Sequence, residues 1–514
     1  MKKLIILLVV GLTVLPFFKT GLFDVHDPTS AFRIFTLVET IKAGQFPASW
    51  SNLLNFGYGY PLHLYYAPLL GYLGALSYTL VGSYEIAVKL VLVVASLVGT
   101  YGIYKLLESR GVYSSLLGAV AYTYLPYRAS SIYVRGSYAE FLAMSLLPWV
   151  IYFWLMPQNS KKVILKTAIV TALFTLSHNT LPILIAPVIL LIIVLFQRNN
   201  WKGVAIAILS TFGLTSWFIL PVFFERGFVQ VDSIATMTNY RDHFVTLAQL
   251  WSSPWGYGGS TKGVAGDSMS FMIGKGQLIL AMIGIIGLFK LKNWKLLLLF
   301  SFVAVFSIYL SLSQSQFVWN AVSFLSLMQF PWRSLALSGV GVAVLSGYSL
   351  TVLPKKLQLA SLLLFSILLI YTNLKYFHPQ DYRNYSQNIL SSQDNLNPLA
   401  RDKIPEYLPA WMPVALPRRV DGLTRSSTTV FGTIMTEATE PLVLATAYTP
   451  QWELQINGRQ QPIEPSEEGL VKTQNDVPSG ENKIELVWHR TAIEQIGIWI
   501  SALTIAIVVG LLVL

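Results

Sequence analysis

Long apolar runs separated by short polar connections dominate the pattern of this 514-residue chain. Runs of roughly 15 to 22 residues are near the length that a helix needs to cross a bilayer. Thirteen runs of this kind lie at 3–19, 64–82, 86–107, 113–127, 138–156, 163–178, 180–196, 203–224, 276–290, 294–313, 335–353, 357–377 and 493–514. Because 54% of the residues are hydrophobic and only 12% are charged, the composition also excludes a single soluble core. The pattern therefore predicts an α-helical polytopic membrane protein.

The distribution of lysine and arginine indicates how many of these runs cross the membrane. If the run 64–82 lies along the outer interface, all the basic connections fall on the side of Lys2 and Lys3. These connections lie at 105–110, 161–162, 198–202, 290–295 and 355–356. We therefore expect about 12 transmembrane helices plus juxtamembrane helices, with both termini cytoplasmic. The net charge of +11 orients the chain in this interpretation and does not indicate a nucleic-acid partner.

Near residue 378 the long apolar runs give way to shorter, alternating ones, and this change in pattern indicates three regions. Residues 1–377 are predicted to form a transmembrane domain with an outer first loop at 20–85. Residues 378–492 are predicted to be extracytoplasmic, with a small β-sandwich at about 420–490, and residues 493–514 form a final transmembrane helix. Alternating runs flank Asn457-Gly458, which is typical of a two-residue hairpin turn. The run "PSGENKIELVW" is interpreted as a turn that enters an edge strand.

Two carboxylates and an imidazole, those of Asp24, His26 and Asp27, follow the first apolar run. Asp27 can cap an amphipathic helix on the membrane surface, with Pro28 at its first position and Gly44 at its end. A cap and a catalytic base are compatible roles for this carboxylate. Asp24 is either a second candidate acid or a solvated loop residue. His26 is a candidate metal ligand, base or exposed polar residue.

Several other polar residues fall on the predicted outer face. Arg135 and Glu140 form either a structural ion pair or a substrate contact. His178, in "SHN", is a ligand contact or a helix cap, and Arg333, in "QFPWRSL", binds a phosphate or reaches lipid headgroups. Arg128 is a further cation on this side. The chain has no cysteine and its six histidines are scattered, so no cofactor is certain and a divalent cation stays an open alternative.

Several stretches together resemble a known family. They are "HDPTSAFRI", "FGYGYPLHLYYAPL", "YLPYRASSIYVRGSYAEFLAMSLLPWV", "LSHN" and "QFPWRSL". The chain resembles the GT-C superfamily of membrane glycosyltransferases, and more closely the bacterial membrane proteins labelled 6-pyruvoyl-tetrahydropterin-synthase-related. The synthase activity in that label is not expected, because its zinc site needs clustered histidines.

The resemblance implies sugar transfer from a polyprenyl-phosphate carrier to an acceptor outside the plasma membrane. The acceptor would be a glycan, a lipid or a protein of the cell envelope. The resemblance implies that Asp27 is the catalytic base of an inverting reaction and that Asp24 is the second candidate for this role. It also implies that the phosphate of the donor faces Arg128, Arg135 and Arg333. His26, Glu140 and His178 are further candidate substrate contacts. Aromatic residues could stack on sugars or anchor the interface, namely Trp50, Tyr58, Tyr60, Trp255 and Tyr257.

Two other classes of function stay open. One is a transporter or flippase for a lipid-linked glycan, and the other is a non-catalytic scaffold with a GT-C-like fold. Transporters commonly carry ionisable groups at the membrane midplane and have two matching halves. Here the ionisable residues concentrate at the ends of the apolar runs and no halves match, which favours the transferase.

Overall fold

The computed structural model describes residues 2–233, 238–392, 396, 405–413, 420–426 and 428–513. Helices form most of its first three quarters. They are α1 Lys2–Gly11, α2 Ser30–Lys42, α3 Leu62–Tyr65, α4 Leu69–Val81, α5 Tyr84–Leu107, α6 Val112–Thr123, α7 Pro126–Tyr133, α8 Tyr138–Leu155, α9 Lys161–Ser177, α10 Leu181–Phe196 and α11 Trp201–Phe224. They continue as α12 Leu247–Trp251, α13 Lys275–Lys290, α14 Trp294–Ser311, α15 Gln316–Ala321, α16 Leu335–Tyr348, α17 Lys355–Asn373, α18 Gln387–Ser391 and α19 Ala492–Val513.

Within the described ranges, seven helical segments are long and apolar enough to cross a membrane. They are Tyr84–Arg110, Tyr138–Leu155, Trp201–Phe224, Trp294–Ser311, Pro331–Val352, Lys355–Tyr376 and Ala492–Leu512. Three shorter apolar helical segments occur at Leu4–Phe18, Leu69–Val81 and Leu181–Phe196. The number of twelve crossings therefore stays a prediction.

The predicted span 113–127 is divided into two short helices. Helix α6 has 12 residues and so is about 18 Å long, less than the hydrocarbon core of a bilayer. Leu125, which precedes Pro126, has extended backbone angles, and this break separates α6 from α7. Helix α7 covers most of the predicted outer loop 127–137, and every one of its side chains is buried.

Helix α2 differs from the amphipathic surface helix that its sequence predicts. It begins at Ser30, so Asp27 and Pro28 lie before it, and it ends at Lys42, close to the predicted Gly44. Residues 30–38 are all buried, and α4, α5 and α18 all contact the helix. This segment therefore lies inside the molecule.

Two antiparallel sheets form near the C-terminus around a common apolar core. Strands β1 Leu22–Phe23 and β2 Tyr382–Arg383 make a separate pair. The sheet strands are β3 Thr424–Arg425, β4 Thr429–Thr436, β5 Val443–Ala447, β6 Trp452–Ile456, β7 Arg459–Gln461, β8 Ile463–Pro465, β9 Leu470–Thr473 and β10 Gly480–Trp488. The larger sheet has the order β3-β4-β10-β6-β7 and the smaller one β5-β9-β8.

The hairpin predicted at Asn457-Gly458 is confirmed. Both residues have positive φ, and they join β6 to β7. The prediction that "PSGENKIELVW" forms an edge strand is wrong, since β10 pairs with β4 on one side and with β6 on the other. The charged residues of β10 alternate with buried ones and are exposed on one face of the sheet. A central strand of an antiparallel sheet can have one solvated face in this way.

The first loop is joined to these sheets by aromatic residues. Trp50, which is fully buried, packs edge to face on Trp452 with ring centroids 5.4 Å apart. The Tyr58 carbonyl accepts a hydrogen bond of 2.8 Å from Ala447 N. Trp50, Tyr58 and Tyr60 have no exposed surface, so the expectation that they stack on sugars or anchor the interface is wrong.

Candidate active site

Asp24 is held in an ion pair beside the short β1–β2 ladder. Its backbone N–H donates to the Asp381 carbonyl at 2.8 Å, which extends the pairing of the strands by one residue. Its carboxylate oxygen lies 2.8 Å from Arg383 Nε. The charge of this acid is therefore already balanced by a neighbouring side chain.

Asp27 is positioned by backbone bonds to the connection between α7 and α8. His26 N donates to the Val134 carbonyl and Asp27 N donates to the Arg135 carbonyl, each at 2.9 Å. Gly136 has φ +68°, and a Cβ there would lie 2.5 Å from the Asp27 carbonyl oxygen. A glycine is needed for this close approach. The loop with the acids therefore lies directly against the predicted arginine loop.

The Asp27 carboxylate has one engaged oxygen and one that faces a cation. Oδ1 accepts from Thr29 N at 3.3 Å and from Thr29 Oγ1 at 2.5 Å. Oδ2 lies 3.9 Å from a terminal nitrogen of Arg33, and 38% of the Asp27 side chain is exposed. The residue at the N-cap of α2 is Thr29, so the prediction that Asp27 caps this helix is wrong.

Arg33 and Glu406 belong to the same group of charges, although neither was a candidate from the sequence. Arg33 is buried, and its guanidinium lies over the Tyr66 ring, 3.9 Å from the centroid. Burial raises the pKa of Glu406, and the Asp27 carboxylate adds to the rise, whereas Arg33 and Arg333 oppose it. We call Asp27, Arg33, Glu406 and Arg333 the charged cluster.

Arg333 completes the charged cluster on the side of the short turn Pro331–Ser334. One terminal nitrogen donates to the Met328 carbonyl at 2.8 Å and to Gln329 Oε1 at 3.1 Å. Among the residues that the structure describes, no carboxylate oxygen lies within 4.0 Å of this guanidinium and its Nε has no hydrogen-bond partner. Arg333 is therefore a cation with donor capacity to spare.

Arg135 and Glu140 form the structural pair that the sequence left as one of two alternatives. The two terminal nitrogens of Arg135 donate to the two Glu140 oxygens at 2.8 and 2.6 Å. The Tyr127 hydroxyl donates to the same carboxylate at 2.7 Å. All three are buried, and Arg333 lies within electrostatic range of the pair.

The remaining candidates are arranged differently. Arg128 is 2% exposed and is packed between the rings of Tyr122 and Phe141, at 4.2 and 4.5 Å from their centroids. The structure does not bring it to the charged cluster. His178 Nδ1 accepts from the backbone N–H groups of Thr180 and Leu181 at 3.2 and 3.3 Å, at the start of α10, whose N-cap residue is Thr180.

An irregular segment with aromatic residues lies beside His26. His26 is exposed, and Gly259 is so close that a Cβ there would be 3.0 Å from its Nε2. In the same segment the Trp255 ring lies tilted against that of Tyr376, with ring centroids 4.7 Å apart. Within the described part of the chain, no three histidine, aspartate or glutamate side chains are grouped so that they could hold a metal ion.

The fold and the charged cluster define a polytopic helical protein of the membrane with a polar site at one end of its helices. A family model described as "6-pyruvoyl-tetrahydropterin synthase related domain; membrane protein" matches residues 63–379. Since this match spans more than half of the chain, the protein belongs to that family of membrane proteins. A comparison with curated proteins found no match.

Two solved structures are similar to the chain at low identity. The mycobacterial arabinofuranosyltransferase AftD is 14% identical, with a TM-score of 0.46, over 73% of this chain and 27% of that one. ArnT from Cupriavidus metallidurans, solved with undecaprenyl phosphate, is 13% identical, with a TM-score of 0.42, over 72% and 63%. The chain thus spans about a quarter of AftD. Because both TM-scores are below 0.5, neither likeness supports an inference about the activity of this chain.

Proposed function

We propose that the protein is a membrane glycosyltransferase of the inverting type. In this proposal it moves a sugar from a polyprenyl-phosphate donor to a hydroxyl of an extracytoplasmic acceptor, with Asp27 as the base. The observation that carries the proposal is the partly exposed Asp27 carboxylate, whose Oδ2 lies 3.9 Å from a terminal nitrogen of Arg33 in a cluster that also contains Arg333. The donor class is carried over from the motif resemblance.

The arrangement suits a single displacement at the anomeric carbon. Asp27 Oδ2 takes the proton of the acceptor hydroxyl as the acceptor oxygen bonds to the anomeric carbon. The bond from that carbon to the phosphate oxygen breaks, and its electron pair leaves with the polyprenyl phosphate. A phosphate is a good leaving group and needs no acid, so one carboxylate is sufficient for an inverting reaction.

Arg33 and Arg333 are the residues that we assign to the leaving phosphate. A guanidinium binds phosphate oxygens through paired N–H groups, and its charge stabilises the negative charge that develops there. Arg333 has unused donor capacity among the described residues, and Arg33 interacts electrostatically with both Asp27 and Glu406. Arg135 is less suited to this role because Glu140 already occupies both its terminal nitrogens.

Release of polyprenyl phosphate tests the base assignment without knowledge of the acceptor sugar. Purified protein in vesicles is given polyprenyl-phosphate hexose or pentose together with a cell-envelope extract, and free polyprenyl phosphate is measured. We expect Asp27→Asn to lower the rate by ~10²–10⁴-fold, the usual contribution of a general base. The affinity for the donor should change much less.

Asp24→Asn is the matched control, because it makes the same chemical change in the same loop. Its partner Arg383 is more than half exposed, so we expect a stability loss of about 1 kcal/mol at most and a nearly normal rate. Full activity of Asp27→Asn would contradict the assignment. Donor that equilibrates across the vesicle membrane without release of polyprenyl phosphate would instead indicate the transporter.

A further inference from the structure

Thr29 stands at the start of α2 without capping it in the usual way. It is the N-cap residue of this helix and is fully buried. A threonine at this position usually accepts a hydrogen bond, through its side-chain oxygen, from a backbone N–H of the first helical turn. Among the described residues, the Thr29 side chain accepts no such bond. The hydroxyl therefore does not contribute the capping bond for which threonine is favoured at the start of a helix.

The Thr29 hydroxyl instead binds the candidate base. Thr29 Oγ1 donates to Asp27 Oδ1 at 2.5 Å, and Thr29 N donates to the same oxygen at 3.3 Å. A hydrogen bond to an ionised oxygen is about twice as strong as one between neutral groups. The two bonds restrain the rotation of the carboxylate, so that Oδ1 faces Thr29 and Oδ2 is left for other partners.

The main chain of Asp27 is also fixed. Its N–H donates to the Arg135 carbonyl at 2.9 Å, and its own carbonyl oxygen lies directly against Gly136. With the main chain held in this way, the position of Oδ2 depends on the side-chain torsion angles of Asp27. The bonds from Thr29 restrain these angles.

Arg33 is the cation toward which an unrestrained Asp27 carboxylate would turn. One of its terminal nitrogens lies 3.9 Å from Asp27 Oδ2, whereas the N···O distance in a close ion pair is about 2.7–2.9 Å. Arg33 is buried, so the attraction between the two charges is stronger than it would be in water. The Thr29 carbonyl accepts from Arg33 N at 2.9 Å. Thr29 therefore binds the base through its side chain and the residue that carries the cation through its backbone.

We propose that Thr29 is a positioning residue for the base, an inference that rests on the proposed function. Its hydroxyl keeps Asp27 Oδ2 available to take the proton of the acceptor hydroxyl. It also prevents the carboxylate from closing onto Arg33, whose guanidinium then stays available for the phosphate. This restraint matters for the rate, because a misplacement of about 1 Å in a reacting group can slow a reaction by ~10²-fold.

Release of polyprenyl phosphate at saturating donor measures the effect of the Thr29 hydroxyl. Thr29→Val has nearly the shape of threonine but lacks the hydroxyl, whereas Thr29→Ser keeps it. We expect Thr29→Val to lower kcat by ~10–100-fold through misplacement of the Asp27 carboxylate. The KM for the donor should change much less, because Arg333 is unaltered. Thr29→Ser should recover most of the rate.

A double variant connects the effect to Asp27. Asp27→Asn and the combined Asp27→Asn/Thr29→Val should have the same rate, because without the base there is nothing left to position. Thr36→Val is the matched control, since Thr36 is also buried in α2 and its hydroxyl donates to a backbone carbonyl at 3.2 Å. It should keep a nearly normal kcat, although it should lower the unfolding temperature about as much as Thr29→Val does.

Four results would overturn the inference. A normal rate for Thr29→Val beside a slow Asp27→Asn would leave the proposed function standing and show that Asp27 needs no help from the hydroxyl. A Thr29→Ser variant as slow as Thr29→Val would mean that the hydroxyl is not the important group. A double variant slower than Asp27→Asn by the full Thr29→Val factor would place the effect elsewhere. Full activity of Asp27→Asn would remove the proposed function and this inference together. Where Thr29→Val fails to fold, Thr29→Ala, which removes the same hydroxyl, takes its place in each comparison.

Discussion

The buried charged residues at the candidate site fall into two groups, which differ in how many of their hydrogen-bonding atoms have partners. The Arg135 guanidinium, the Glu140 carboxylate and the Tyr127 hydroxyl bond one another, so their desolvation is largely compensated. Arg33 and Arg333 each keep an unpartnered Nε among the described residues. A buried donor without a partner destabilises the fold by about 1–3 kcal/mol. Selection for stability alone would therefore not retain such donors. Arg33 and Arg333 thus differ from Arg135 in keeping a buried donor that no described group satisfies.

The free energy of unfolding should depend on pH through the buried side chain of His63, and the sign follows from the difference between its pKa values in the folded and unfolded states. Its pKa is about 3 in the folded protein and 6.5 in the unfolded chain, so the unfolded chain takes up a proton first as the pH falls. The contribution of the neutral ring is complete above pH 6.5 and is lost progressively toward pH 3. Between pH 7 and pH 5 we expect a loss of about 2 kcal/mol, from 1.36 kcal/mol per pKa unit.

The measurement compares unfolding of the wild type and His63→Gln in detergent at the two pH values. The wild type should lose the additional stability on acidification, and the variant should not. An identical response of His63→Gln and the wild type would contradict the burial argument.

The residues near Asp27 show what the sequence could and could not predict. The acids of the first loop and Arg333 were candidates because charges beside apolar runs are conspicuous. Arg33 was hidden, since on an isolated amphipathic helix an arginine occupies the solvated face. Helices α4 and α5 pack against α2, and Glu406 reaches the cluster from a position more than 370 residues after Arg33 in the chain. Local patterns contain no information about such contacts.

At the scale of elements, close helix packing depends on small residues. Gly284 on α13 faces α16, and a Cβ there would lie 1.7 Å from the Leu345 carbonyl oxygen. Gly74 on α4 faces α2, where a Cβ would lie 2.2 Å from Ile34 Cδ1. In the first case the obstacle is backbone, and in the second it is the flexible end of a side chain. The apolar pattern predicted these helices but not which faces meet, because lipid and protein neighbours are equally apolar.

Gly284→Ala should therefore be destabilising through steric overlap. We expect a loss of about 1–3 kcal/mol, the usual cost of overpacking, because α13 and α16 must move apart. Gly510→Ala in α19 is the matched control, since nothing lies within 4 Å of the Cβ that it adds and alanine is the better helix former. Apparent unfolding temperatures in one detergent compare the two variants. An unchanged temperature for Gly284→Ala would contradict this helix contact.

The sheets illustrate the same limit for strands. The Asn457-Gly458 turn was predictable, because its backbone angles suit few residue pairs. The central place of β10 was not, since its partner β4 contains Gly432 and an irregular pattern, "TVFGTIMT", which gives a weak strand signal. A sequence-based prediction that omits β4 leaves β10 with one predicted partner, β6, and therefore places β10 at the edge of the sheet.

For the whole molecule, contacts distant in sequence gather the candidate site at one end of the helices. Tyr65 donates to the Glu225 carbonyl at the end of α11, and Arg490, just before α19, donates to the Pro47 carbonyl. Elsewhere Gln158 N donates to Gln197 Oε1, between the ends of α8 and α10. The first two hydrogen bonds join loops that the charge pattern predicts outside, and the third joins loops that it predicts inside.

Labelling of introduced cysteines tests on which sides of the membrane these loops lie. The chain has no cysteine of its own, so single cysteines at Thr20, Asn159 and Gln460 give unambiguous signals. All three positions are exposed. If the positive-inside prediction is correct, an impermeant maleimide added to intact cells labels the variants at Thr20 and Gln460, whereas Asn159 reacts only after lysis. Labelling of Asn159 together with Thr20 would break the predicted topology, and with it the extracytoplasmic placement of Asp27. Separate sides for Thr20 and Gln460 would contradict the contact between the first loop and the sheets.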